Sequence, residues 1–220
     1  MKSGHFPLHI ETVLTAVGIF MALSELWKQY VITFCVNGGT YDWWYFPFQL
    51  CSIPMYLLIL LPFFRRSHIQ RVFYTFLMDF SLLGGIFVFL DTTGMHYPIP
   101  ALTVHSYLWH IALIGIGLVC GLSGIADYTW RGFRMSALLF GILCLLAEIL
   151  NLSIGRIADI NMFYISPYYE MSQAVISVIT HRFGNPVRIV FYILAILAGA
   201  LLLHFVWQKR FLSSHARHRF

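Results

Sequence analysis

Apolar runs separated by short polar segments make up most of the chain, and each run is close to the length of one membrane crossing. About 20 predominantly apolar residues in an α-helix span the hydrocarbon core of a bilayer. Six runs fit: Val13–Phe34, Phe46–Phe64, Val72–Leu90, Val104–Ile125, Phe133–Ser153 and Pro186–Trp207. They predict an all-α fold, a polytopic membrane bundle of six transmembrane helices, forming a single domain over residues 1–220. The first run is long and no small-residue cleavage motif follows it, so it is expected to stay as a helix rather than act as a cleaved signal. The longest connection, Ile154–Asn185, carries Tyr164, Pro167 and Tyr168-Tyr169-Glu170, then a mildly amphipathic stretch to about Thr180. It reads as an outer-surface lid or interfacial helix.

Composition agrees with this pattern. Hydrophobic residues are 59% of the 220 and charged ones 10%, against about 25% charged in a soluble domain. The expected location is the cell membrane, as a multi-pass protein. A net charge of +5 does not imply a nucleic-acid partner, because the basic residues sit between the apolar runs, where they set topology. With the N-terminus inside, ten of the 14 Lys and Arg fall on the cytoplasmic side, and the loops Cys35–Tyr45 and Asp91–Thr103 carry none. Both termini are therefore expected in the cytoplasm. Trp43, Trp44 and Tyr45 suit an outer aromatic belt, and Trp130 and Trp207 an inner one. The tail from Gln208 reads as a short solvated stop-transfer segment.

Polar residues inside the runs narrow the chemistry. Glu25 and Lys28 are three apart and share a helix face, where an ion pair reduces the cost of burying either charge. Asp79 lies near the middle of the third run, ahead of Gly84-Gly85. An intramembrane Asp is a functional candidate by default, and a packing residue bonded to a neighbour is the alternative. The fourth run carries His105 and His110, separated by about 140° on the helix. It continues with Gly115, Gly117, Gly121 and Gly124, which suit close packing. Glu148 and Asn151 share a face of the fifth helix, and His204 lies in the sixth. The four cysteines, Cys35, Cys51, Cys120 and Cys144, show no CxxC spacing, so no metal site is expected. No cofactor fingerprint of the Walker, Rossmann, GxSxG or HExxH type is present.

The segment Phe46-Pro47-Phe48-Gln49-Leu50-Cys51-Ser52-Ile53-Pro54 is the focus of the chain. It is expected to place Cys51 one to two turns inside a helix start, whose free N–H groups and macrodipole favour the reactive thiolate. Pro47 is expected at the first helical position, and Pro54 is expected to kink the helix just past Cys51. A buried structural thiol is the plainer alternative. A rise of about 1.5 Å per residue puts Cys51 and His110 roughly 8–9 Å below the outer edge of the core, level with Lys28 and Glu148. That level contains the parts of nucleophilic acyl chemistry: a thiol, an imidazole to take and return its proton, and Gln49, Asn151 or backbone N–H groups near the helix start to bind an oxyanion. Lateral proximity does not follow from depth alone.

The Pro-Phe-Gln-Leu-Cys-Ser run, with His105 and Trp109-His110 opening the fourth helix, resembles the YwaF family. That bacterial membrane family is grouped with an animal transmembrane phospholipid acyltransferase. More distantly, the chain resembles animal six-helix Thr/His hydrolases of fatty acid esters of hydroxy fatty acids. The resemblance implies a Cys nucleophile and a His partner, which map onto Cys51 and His110. The position two residues before the family Cys is His or Gln, and this chain has Gln49. The reading is a cysteine-dependent acyltransferase or lipid esterase that acts on acyl esters in the outer leaflet through a thioester. Cys51 and His110 are catalytic, Gln49, His105, Trp109, Glu148 and Asn151 bind substrate, and a membrane lipid is the partner. The rival reading is a small-molecule transporter or substrate-binding subunit, with Glu25, Asp79 and Glu148 along a polar path. A third is a Cys35–Cys51 disulfide.

Overall fold

The computed structural model describes residues 8–169 and 183–217. The described chain is helical throughout, with α1 at Leu8–Tyr30, α2 at Ile53–Leu60, α3 at His68–Phe76, α4 at Leu82–Phe87, α5 at Pro100–Leu122, α6 at Trp130–Ile154 and α7 at Asn185–Arg217. A π segment, Leu77–Ser81, fuses α3 to α4, and the 3₁₀ turn Val88–Leu90 extends them, so these pieces form one rod. Five rods are long and apolar enough to cross a membrane: His9–Val36, His68–Leu90, Pro100–Leu122, Trp130–Ile154 and Asn185–Leu212. The sixth, Ile53–Phe64, is shorter.

Local sequence explains the boundaries. Gly38 and Gly39, with φ of 60° and 96°, turn the chain after α1 in a region that glycine enters without steric cost. The Ser67 hydroxyl caps α3 by accepting from Gln70 N at 3.2 Å, and Thr129 caps α6 by accepting from Gly132 N at 3.2 Å. Pro100 stands at the first position of α5, after an extended Ile99.

The second element differs from expectation. Phe46–Ser52 is not α-helical: Trp43–Tyr45 form a 3₁₀ turn capped by the Asp42 carboxylate, and the chain then bends and turns into Ile53. Cys51 therefore lies just before the helix rather than inside its first turns. Pro47 lies outside the helix. Pro54 occupies the first turn of α2, so it starts that helix instead of kinking it.

The rod of residues 68–90 is the centre of the bundle. Its most apolar stretch is 67% buried, against 11% for α7. Phe76, Leu77, Met78 and Phe80 are fully enclosed and belong to one core cluster with Leu58, Leu113, Phe140 and Ala147. Small residues set the closest approaches. A Cβ added at Gly18 would lie 2.6 Å from Leu58 Cβ, and one at Gly117 would lie 2.7 Å from Leu82 Cβ, so α1 meets α2 and α5 meets α4 across bare backbone.

Two polar clusters tie the end of the bundle opposite the Cys51 loop. Glu11 takes Arg65 Nη2 at 2.8 Å and Gln70 Nε2 at 2.9 Å. The π segment places Asp79 against His204 Nδ1 at 2.9 Å, and the other ring nitrogen faces the Thr129 carbonyl at 3.1 Å. Asp79 therefore has the bonded neighbour that its position allowed. Removing one member of a buried pair leaves an uncompensated polar group and costs about 3–5 kcal/mol. Asp79→Ala and His204→Ala are each expected to lower the unfolding midpoint in detergent clearly. An unchanged midpoint in both would show that the pair does not secure α7 to the centre.

Candidate functional site

The opposite end of the bundle gathers the loops 37–52, 91–99 and 155–169 around Cys51. The thiol belongs to a turn in which Ser52 N and Ile53 N both donate to the Gln49 carbonyl, at 2.8 and 3.3 Å. Trp109 Nε1 on α5 donates to the Cys51 carbonyl at 3.0 Å and so fixes the turn against that helix. Tyr56 closes the bend by donating to the Pro47 carbonyl at 2.8 Å. All four cysteines are free, with Cys35 exposed and Cys51 half-buried, so the Cys35–Cys51 disulfide is not formed.

The ion pair expected on α1 is present, with Lys28 Nζ 2.8 Å from Glu25 Oε1. Gln29 bonds both the same carboxylate oxygen, at 2.7 Å, and the Tyr45 carbonyl, at 2.6 Å, and so ties the pair to the 43–45 turn. Trp27 of α1 and Trp109 of α5 both pack on the His105 ring, and Trp109 also bonds the Cys51 carbonyl, so α1, the Cys51 turn and the first half of α5 meet here.

The histidines occupy different settings. His110 is buried, and its Nδ1 faces the Ser106 carbonyl at 2.8 Å. A carbonyl only accepts, so Nδ1 carries the hydrogen and the neutral ring presents its lone pair at Nε2, as a general base requires. His105 is wedged between the rings of Trp27 and Trp109, at centroid distances of 5.7 and 5.6 Å, and its buried Nε2 has no partner. Among the described residues, no hydrogen bond joins either imidazole to Cys51.

Gln49 and Asn151 serve a different end from the one their depth suggested. Gln49 donates from Nε2 to the Asn161 carbonyl and accepts from Phe163 N, both at 2.8 Å. Asn151 accepts from Met162 N at 2.7 Å and donates to the Met162 carbonyl at 3.1 Å, with Glu148 Oε2 also at 3.5 Å from its amide nitrogen. The two amides bind the backbone of one short loop. Arg188, fully buried at the start of α7, holds the next part of it, donating to the Tyr164 carbonyl at 2.8 Å and the Ser166 carbonyl at 3.3 Å. Residues 155–169 thus form a fixed wall over the Cys51 turn. The expected amphipathic continuation to about Thr180 lies outside the described residues.

Sequence reasoning missed Arg188 and the tyrosines near the thiol. Arg188 stands at the head of an apolar run, and a cation so placed calls for a buried partner. Tyr97, Tyr164 and Tyr192 each lie near enough to feel a charge on Cys51. In the loops, burial pushes the Tyr164 phenol up to about 12 and the Tyr97 phenol higher still, so both keep their protons at neutral pH. An apolar groove between α1 and α5, lined by His9, Val13, Val17, Ala112, Gly115 and Val119, lies toward the opposite end of the bundle and contains none of these residues. Among the described residues no group of three or more His, Cys, Asp or Glu side chains is placed to hold a metal ion.

One family model matches residues 7–207, that of the TMEM164 family. No curated protein and no solved structure matches the chain.

An unsatisfied buried backbone group costs about 1–3 kcal/mol. Asn151→Ala is therefore expected to raise hydrogen exchange at the Met162 amide by about one to two orders of magnitude, and Gln49→Ala that at Phe163. Unchanged protection at both amides would show that other contacts hold the wall.

Proposed function

The chain belongs to the TMEM164 family, and from that premise we propose that it is a membrane-embedded, cysteine-dependent acyltransferase or lipid esterase. The family is linked to acyltransferase activity. The observation that carries the reading to residues is the placement of Cys51. The thiol sits on a non-helical turn pinned by Trp109, which packs on the His105 ring and precedes His110 on α5, while the half-buried cation Lys28 is paired with Glu25 on α1. Irregular backbone within an apolar run is tolerated in a membrane protein where it is enclosed by protein or lines a cavity. The YwaF-like run that ends in Cys51-Ser52 is compatible with this membership.

In the proposed reaction, the Cys51 sulfur attacks the carbonyl carbon of a lipid ester and the C–S bond forms. The electron pair of the C=O moves to oxygen and returns as the ester C–O bond breaks. His110 takes the thiol proton at Nε2 and passes it to the departing alcohol. Water or a lipid hydroxyl then attacks the thioester, with His110 serving once more. In the tautomer set by Ser106, Nε2 is available for this role, and catalytic hydrogen bonds that are long in a free enzyme commonly tighten only with substrate bound. Both termini in the cytoplasm, as the charge distribution favours, would open the site to the outer leaflet of the cell membrane.

Purified protein incubated with mixed phospholipids and followed by intact mass spectrometry tests this. A hydroxylamine-sensitive, acyl-sized mass on the wild type, absent in Cys51→Ala and slow to form in His110→Ala, is the expected result. No adduct together with unchanged lipid products would overturn the reading.

A further inference from the structure

The two helices that meet at the Cys51 end of the bundle, α1 and α5, part toward the other end. Trp27 of α1 and Trp109 of α5 enclose the His105 ring at 5.7 and 5.6 Å, and Trp109 Nε1 bonds the Cys51 carbonyl at 3.0 Å. Toward the start of α1 the same pair leaves a groove of about 340 Å³, lined by Val13 and Val17 on one side and by Ala112, Gly115 and Val119 on the other. That volume falls within the roughly 300–1,000 Å³ of ligand pockets.

Helix geometry joins the rings to the groove. His105, Ala112 and Val119 follow one another at equal intervals, and at about 100° per residue they keep to one face of α5 within about 40°. On α1, Val13, Val17, Ser24 and Trp27 fall within about 80° of one another. Between the rings and the groove, Phe20 and Leu108 lie on these same faces and are 72% and 60% exposed, so the seam is open to the bilayer there. Two further observations mark it as a place for a ligand. His105 Nε2 is buried at its head without a partner, a costly state that a bound polar group relieves. The glycines of α5 are also of two kinds. A Cβ at Gly117 would lie 2.7 Å from Leu82 Cβ and one at Gly121 would lie 2.6 Å from the Trp207 ring, so both admit close packing. A Cβ at Gly115 would meet nothing within 4 Å. Glycine weakens a helix interior relative to alanine, and at Gly115 what it provides is the depth of the groove.

We propose that the α1–α5 groove receives the acyl chain of the lipid whose ester Cys51 attacks. The inference rests on the acyl-transfer reading given above, and it makes the substrate a long-chain ester. The length fits. From Trp109, which bonds the Cys51 turn, to the far end of the groove at Val119 is about 15 Å along α5, half of a hydrocarbon core of roughly 30 Å. The ester lies level with the Cys51 turn, a polar group of the lipid meets His105, and the chain follows the seam down into the groove.

The test uses the full chain in nanodiscs, with p-nitrophenyl butyrate and palmitate as esters and a phosphatidylcholine carrying a diazirine at the end of one acyl chain. The variants are Cys51→Ala, Gly115→Leu, Gly115→Phe and, at an exposed position of α6, Gly141→Phe, with melting temperature recorded for each. A Cβ at Gly115 or Gly141 meets nothing within 4 Å, so these folds are expected to survive. The expected result is a fall of at least about tenfold in the palmitate-to-butyrate ratio of kcat/KM in Gly115→Phe, a smaller fall in Gly115→Leu, and a ratio within about twofold of wild type in Gly141→Phe. On illumination, Cys51→Ala should be labelled more densely around Val17 and Gly115 than around Gly141, and Gly115→Phe should lose that labelling. Should Gly115→Phe not fold, the labelling of Cys51→Ala decides alone. Cys51-dependent turnover with an equal ratio in wild type and Gly115→Phe would overturn this inference alone. So would labelling of the groove no denser than that around Gly141, which is the pattern of ordinary surrounding lipid. No Cys51-dependent turnover in the wild type would overturn the acyl-transfer reading and this inference with it.

Discussion

A backbone N–H or C=O kept from water must find a partner or cost free energy, and the loop Asn161–Phe163 meets that demand with side chains from two distant helices. Gln49 reaches it from the turn before α2 and Asn151 from α6. Each uses a donor and an acceptor of one amide, which is the most that amide geometry offers to a peptide group. The consequences spread from there. The wall over the Cys51 turn is fixed, Phe163 is driven between Phe48 and Phe140, and Tyr164 is left in a conformation that Arg188 then holds. The turn carrying Cys51 is joined to the same loop, since the Gln49 side chain bonds the wall while its carbonyl accepts from Ser52 N and Ile53 N.

The sequence was a good guide where a single helix decides the answer. Six apolar runs correspond to six helical rods, five of them long and apolar enough to cross a membrane and the sixth, Ile53–Phe64, shorter. The Glu25–Lys28 pair followed from spacing on one helix face. Reading failed where partners lie far apart in the chain. Phe46–Ser52 continues an apolar run, and hydropathy counts it as helix; the contacts that bend it are with residues more than 50 positions away. Pro54 was legible as helix punctuation, but whether a proline kinks a helix or starts one depends on where the helix begins. Asn151 and Gln49 were grouped with the thiol by depth, and the fold joins both to the loop Asn161–Phe163. Their roles could not be read, because an amide that binds an oxyanion and one that binds a loop look alike in sequence.

The site residues divide in the same way. Sequence singled out Cys51, His105, Trp109 and His110 by type and depth, and the fold brings them into one neighbourhood. It gave no hint that Trp109 would bond the Cys51 carbonyl, nor that His105 would leave a buried nitrogen without a partner. A polar atom buried unsatisfied among aromatic rings is costly unless a ligand supplies its partner. His105 is thus a natural contact for a substrate group that arrives with a hydrogen-bonding atom of its own, which fits its place among the substrate-binding candidates.

The arrangement of polar groups along the bundle bears on the choice between an enzyme and a transporter. A transport path needs polar groups spaced across the membrane. Here they gather at two ends, around Cys51 and Lys28 at one, and in the Asp79–His204 and Glu11–Arg65–Gln70 clusters at the other. Between them runs a column of aromatic rings. Phe76 stacks on Phe80 at 4.9 Å, Phe80 on Phe140 at 4.9 Å, and Phe140 meets Phe163 at 6.2 Å. Phe80, Phe140 and Phe163 are fully buried. Opening a route through this column would mean separating close-packed rings at the centre of the bundle, where interiors resist small displacements. Keeping one cluster closed while the other receives a ligand requires no such motion. The Asp79–His204 pair then serves as an anchor for α7, and the acyl chemistry we propose belongs to the end that holds Cys51 and Lys28.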